Sequence, residues 1–183
     1  MTRILAVSGS LRAASYNTAL AKACEALAPD GTSVLHTTLK GIPLYDGDLE
    51  AQDTIPPAVT GLKDAIRAAD GLILVTPEYN NSLPGVFKNA IDWTSRPAAE
   101  IEGLYGGRPV ALMGASMGGF GTILSQSAWL PVLKTLGTRP YTGGSLFVAR
   151  AQTVFDADGQ LADERIRQQV TRFLEGFSRF VQG

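Results

Sequence analysis

Ten residues near the start of the chain, Ser8 to Asn17 (SGSLRAASYN), gather hydroxyls at Ser8, Ser10 and Ser15, the amide of Asn17 and the cation of Arg12. They follow a short apolar run and precede a stretch of helical period. Such a loop feeds a helix N-terminus, where unpaired backbone N–H groups and the positive end of the dipole attract anions. A phosphate monoester needs several donors and some charge compensation, and the loop supplies both. It lacks the glycines of G-x-G-x-x-G and the Walker lysine, so a terminal monophosphate suits it better than a bridging pyrophosphate. An ordinary Ser/Asn-capped turn is the plainer alternative.

A second loop, Thr76 to Gly85 (TPEYNNSLPG), holds Pro77, which bars Thr76 from the helical region. Its Tyr-Asn-Asn-Ser run offers an aromatic face beside hydrogen-bonding groups, the combination that a flat heterocycle requires. A well-ordered turn in which Tyr79 merely packs explains the same residues. A third loop, Gly114 to Thr122 (GASMGGFGT), carries four glycines that allow backbone to approach a ligand closely.

That third loop also satisfies G-x-S-x-G around Ser116, the nucleophile elbow of serine hydrolases. The mechanism needs a histidine after the serine, whereas the only histidine, His36, precedes it. A hydrolase is therefore a remote alternative, and His36 reads as a surface or strand-packing residue. One histidine and one cysteine do not make a zinc site, and no metal is expected. No paired carboxylates stand out. The lack of an evident catalytic side chain points to a redox cofactor that brings its own chemistry and asks the protein for position and electrostatics.

The elements that must position these loops alternate along the chain. Strands are expected at Ile4 to Ser8, Ser33 to Thr37, Leu72 to Thr76, Val110 to Gly114 and Ser145 to Ala149. The runs ILAV, LILV and VALM are continuously apolar, as in strands covered on both faces. The mixed SVLHT suits a sheet edge. Helical period is expected over Asn17–Ala28 (with Leu20, Cys24 and Leu27 on one face), over Ala58–Ala69 (Val59, Leu62, Ile66), and over Ser82–Trp93 with Ser82 as its cap and Pro84 early. Two further helices are expected at Thr122–Leu136, kinked or broken at Pro131, and at Asp163–Val181 with Ile166, Val170, Phe173, Leu174 and Phe177 inward.

This alternation specifies a doubly wound α/β domain spanning 1–183: a three-layer sandwich with a five-stranded parallel sheet of order 2-1-3-4-5 and helices on both faces. In such sheets ligands bind outside the carboxyl ends of the strands, so the three loops should converge. The stretch Gly41 to Pro57 is either a loop that folds over a ligand or a surface excursion.

Composition narrows the function. In 183 residues, 16 basic against 17 acidic side chains give a net charge of -1, without a Lys/Arg cluster, so neither nucleic acid nor an anionic membrane is an expected partner. The 45% hydrophobic content supports a sizeable core without disulfides. Cys24, the single cysteine, reads as a buried inert thiol. The short apolar run at the N-terminus fits neither a signal peptide nor a membrane span, which makes the cytoplasm the expected compartment.

GSLRAASYNTAL and TPEYNNSLPGVFKNAIDW resemble the signature segments of the NADPH-dependent FMN reductase family, which includes chromate, azo and quinone reductases. GASMGGFGT and the late FDADGQLAD are similar to further segments of it. The resemblance implies a flavodoxin-like fold, non-covalent FMN, NADPH or NADH as hydride donor, and homodimers or homotetramers. It implies that Ser10, Arg12, Ser15 and Asn17 hold the phosphate and ribityl chain, that Pro77, Glu78, Tyr79 and Asn80 line the isoalloxazine, and that Ser116 with Gly118 closes the other side. Phe87, Ile91 and Trp93 would lie at or near a subunit interface, although plain core packing explains them equally well. Asn81, where many relatives carry an aromatic residue, and the Gly121-Thr122 pair depart from the family pattern. The expected reaction is a ping-pong reduction of a small acceptor, such as a quinone, an azo compound, chromate or free flavin. A non-enzymatic flavodoxin-type electron carrier is the alternative, disfavoured by the near-neutral charge.

Overall fold

The computed structural model describes residues 1–52 and 55–183. Among these residues six strands, β1 (Thr2–Ser8), β2 (Thr32–Thr38), β3 (Gly71–Val75), β4 (Pro109–Ala115), β5 (Arg139–Pro140) and β6 (Leu146–Val148), form one parallel sheet. The order is β2-β1-β3-β4-β5, with β6 also pairing β4. Among the described residues seven α-helices accompany them: α1 (Tyr16–Ala26), α2 (Gly47–Ala51), α3 (Pro57–Ala68), α4 (Gly85–Thr94), α5 (Ile101–Tyr105), α6 (Ile123–Thr135) and α7 (Glu164–Gln182).

The apolar runs become central strands because each face of the sheet has its own helical cover. Successive side chains point to opposite faces. Ile4, Ala6, Ile73, Val75, Ala111 and Met113 accordingly join α1 and α7 in one core, whereas Leu5, Val7, Leu72, Leu74 and Val110 join α3, α4, α5 and α6 in the other. The inward residues expected on α7 are all buried, as are Val59, Leu62 and Ile66 on α3. Cys24 is fully buried, donates to the Leu20 carbonyl oxygen and has its thiol pushed up to about 12 by desolvation, as expected of an inert packing residue. β2 is the edge strand, and His36 on it pairs through Nδ1 with Glu25 Oε1 of α1 at 2.8 Å.

Two expectations, the fifth strand and the cap at Ser82, are corrected, and two that were left with alternatives are narrowed. The fifth strand is interrupted: Val110 pairs with Pro140 and Met113 with Leu146, so three extra residues bulge out between β5 and β6. Pro140 and the glycines Gly143 and Gly144 break the ladder there. Of the kink or break expected at Pro131, the break does not occur: α6 runs through it. Of the two readings of Phe87, Ile91 and Trp93, core packing is the one seen: all three are buried within this chain, with Phe87 edge-on to Trp129 at 4.9 Å. Ser82 is not the cap of α4, which begins at Gly85 behind Pro84.

The stretch Gly41 to Pro57 includes α2 and residues 53 and 54, which lie outside the described residues. Its first part is tied to α4: Asn89 accepts from the Tyr45 amide at 2.8 Å and donates to the Pro43 carbonyl at 2.8 Å, and Trp93 Nε1 donates to the same carbonyl at 2.9 Å.

Candidate functional site

Three loops leave the carboxyl ends of β1, β3 and β4, and backbone hydrogen bonds extend the ladder into them. Gly9 N donates to Val75 O (2.9 Å), Thr76 N to Met113 O (2.8 Å) and Ser116 N to Val148 O (2.9 Å). Two glycines make the convergence possible. A Cβ on Gly9 would lie 2.2 Å from Phe87 Cδ1, and one on Gly114 would lie 2.1 Å from the Thr76 carbonyl oxygen and 2.3 Å from Thr122 Oγ1. The loops therefore touch where only a hydrogen fits.

The first loop ends at α1. Ser15 is its N-cap, and its Oγ accepts from Thr18 N at 3.3 Å. Ser10 Oγ accepts from Arg12 N at 3.3 Å, and Ser8 shares a 2.8 Å hydrogen bond with Thr18. The amides of Tyr16 and Asn17, in the first turn, have no helical acceptor. Arg12 is exposed and has no ion-pair partner among the described residues. The Asn17 side chain behaves differently from its neighbours. It is 4% exposed, donating through Nδ2 to Ala115 O (2.8 Å) and accepting at Oδ1 from Ala115 N (2.9 Å). It is a strut between α1 and the end of β4; Ser10 and Ser15 are nearly as buried, but their hydroxyls only accept in the bonds above and keep an O–H to donate.

In the second loop Tyr79 and Ser82 exchange backbone hydrogen bonds of 3.1 and 3.0 Å around Asn80 (φ 50°) and Asn81 (φ 62°). This is a two-residue turn with both central residues left-handed, a conformation asparagine adopts more readily than other side-chain-bearing residues. It holds Tyr79 half exposed at the rim. Pro77 is buried and leads into Glu78, whose carboxylate Oε2 accepts from the Leu124 and Ser125 amides at 2.9 and 3.0 Å. Thr76 Oγ1 meets Ser125 Oγ at 2.8 Å and accepts from Trp129 Nε1 at 3.0 Å.

The third loop is braced from beyond β6: Ala151 N donates to Ser116 O (2.9 Å) and Arg150 N to Gly118 O (3.0 Å). Met117, Gly118, Gly119 and Phe120 face outward. Ser116 Oγ donates to Gly121 O at 2.7 Å, and His36, its only conceivable base, stands three strands away beside Glu25. Parallel neighbours are about 4.8 Å apart, so the separation is roughly 14 Å. The hydrolase reading fails on that geometry.

The three loops thus bring Ser10, Arg12 and Ser15 to one side, and Tyr79, Asn80, Ser116 and Gly118 to loops reached from β3 and β4. Sequence reasoning missed a groove of about 420 Å³ that continues from Arg12 and Ser15 along α1 past Lys22 to a wall built by Asp156, Asp158 and Gln160. Its signals, the alanines 19, 23 and 26 on that face of α1 and the FDADGQLAD segment, lie over a hundred residues apart, and nothing in the sequence joins them.

A metal site is not seen among the described residues, nor is a helix long and apolar enough to cross a membrane. A terminal monophosphate is compatible with the donor set at α1: hydroxyls, open first-turn amides and one unpaired cation. Residues 2–153 match the family model described as NADPH-dependent FMN reductase. An NAD(P)H-dependent FMN reductase of Pseudomonas aeruginosa is 41% identical over 180 residues, covering 98% of this chain and 95% of that protein. A 2-hydroxy-1,4-benzoquinone reductase of a Burkholderia species is 36% identical, covering 98% and 96%. The solved structure of FerB, a flavoenzyme NAD(P)H:acceptor oxidoreductase of Paracoccus denitrificans, superposes with a TM-score of 0.87 at 31% identity, covering 100% of this chain and 98% of that one.

Proposed function

The chain belongs to the NADPH-dependent FMN reductase family, and from that premise we propose that it holds FMN non-covalently where the three loops meet and reduces quinones with NADPH or NADH. The observation that carries this reading is the N-terminus of α1, with hydroxyls and open amides beside an Arg12 that has no ion-pair partner among the described residues. Held there, FMN would supply the two-electron redox chemistry that links the nicotinamide to the acceptor. Overall, NAD(P)H, a proton from water and a quinone give NAD(P)⁺ and a hydroquinone.

The residues of the chain bind and orient. Ser10, Arg12 and Ser15 grip the phosphate with charge-assisted hydrogen bonds, and Asn17 keeps α1 in register with β4. Pro77, Tyr79 and Asn80 border the ring on one side, in a loop whose Glu78 side chain is turned to α6, and Ser116 and Gly118 border it on the other. Holding both reactants against a fixed surface lowers the barrier by removing their freedom of approach. The acceptor is a small molecule and the chain one domain. The exposed apolar side chains of Met117, Phe120, Ile123, Leu124 and Leu130 favour a homodimer or homotetramer. A lone buried thiol fits a cytoplasmic protein.

Anaerobic addition of NADPH or NADH to the FMN-loaded protein is expected to bleach the visible flavin band. A quinone should then restore it, with one hydroquinone formed per nicotinamide oxidised. A band that persists in the presence of both nicotinamides contradicts the proposal.

A further inference from the structure

α6 begins without a cap of its own. Its N-cap residue, Thr122, makes no side-chain capping hydrogen bond; its Oγ1 accepts instead from Gln126 Nε2 at 3.0 Å. The amides of Leu124 and Ser125 lie in the first turn and have no intrahelical acceptor. They are satisfied by one carboxylate oxygen of Glu78, from a loop 46 residues earlier. The anion also sits at the positive end of the helix dipole.

We propose that Glu78 is a positioning residue for the reduction reaction: through these two hydrogen bonds it pins the Thr76–Ser82 loop to the start of α6 and sets the gap between Tyr79–Asn80 and Ser116–Gly118. The proposal rests on the FMN reading for its consequence, but not for the clamp itself. One end of the gap is already fixed by Gly114 packed against the Thr76 carbonyl and by the Thr76–Ser125 contact. Glu78 fixes the other end, next to the exposed Tyr79. The same contact fills the N-terminus of α6 with an internal anion, which leaves α1 as the helix that receives the phosphate.

Amide hydrogen exchange of the FMN-free protein tests the clamp, and FMN titration by fluorescence quenching tests its use. In Glu78→Ala, the Leu124 and Ser125 amides should exchange about tenfold faster or more, matching the loss of a charged hydrogen bond. FMN binding should weaken by a similar factor with a shifted visible band. Glu78→Gln keeps an oxygen acceptor and should restore exchange and spectrum to near wild type. Unchanged exchange in Glu78→Ala overturns the clamp. Faster exchange with FMN affinity and spectrum unaltered overturns the positioning role. A wild-type protein that binds no FMN instead sinks the functional reading while leaving the exchange result intact.

Discussion

Two helices start at the same end of the sheet, α1 after β1 and α6 after β4, and they treat their unpaired amides in opposite ways. α1 caps itself only in part, through Ser15, and stands beside an exposed arginine. α6 takes in the carboxylate of Glu78 and turns an apolar face, Ile123, Leu124 and Leu130, to the outside. A helix N-terminus is thus a potential anion site whose use depends on whether the fold has already filled it. Here the fold fills one and leaves the other open.

Gly114→Ala breaks the contrast outright. Its methyl would collide with the Thr76 backbone and with Thr122, which leads into α6. The expected loss is about 3 kcal/mol of stability, read from urea denaturation, because buried backbone cannot step aside cheaply. Arg12→Ala sharpens the contrast by acting on the open helix alone. FMN should bind more weakly by about 1.5–3 kcal/mol, with the thermal midpoint of the FMN-free protein unchanged, since the side chain is exposed. Ser15→Ala removes the only side-chain cap of α1 and should lower stability by about 1 kcal/mol.

The smallest effect belongs to the other end of α1. Burial pulls the Glu25 carboxyl upward, but hydrogen bonds from the His36 ring and backbone amide outweigh it and hold the group below its ordinary 4.5. A carboxylate held low stabilises the fold above its unfolded value and loses that contribution as the pH falls through the folded one. Glu25→Gln should therefore lower the unfolding free energy near pH 7 by about a few tenths of a kcal/mol for a pair this exposed, read from urea denaturation, and the difference should vanish in acid.

Most of the frame was legible because it depends on local pattern. ILAV, LILV and VALM become β1, β3 and β4 because continuous apolar runs suit strands with helices on both sides, and the mixed SVLHT duly forms the edge. β5 escaped detection because two residues, Arg139 and Pro140, are too few to show a period. The contacts of Asn17 and Glu78 escaped for a different reason. Their partners are backbone groups 98 and 46 residues away, and a backbone amide carries no signature in the sequence. Ser82 was misread because Asn80-Asn81 is itself a turn signal, and the turn claims Ser82 before the helix begins.

Parallel titration of the FMN-free protein with FMN and with riboflavin, which shares the ring but lacks the phosphate, tests most directly whether the open N-terminus of α1 is the anchoring site. FMN should saturate one site per chain, riboflavin should bind at least tenfold more weakly, and Arg12→Ala should narrow that gap. Riboflavin binding as tightly as FMN, or a gap indifferent to Arg12, would contradict the account.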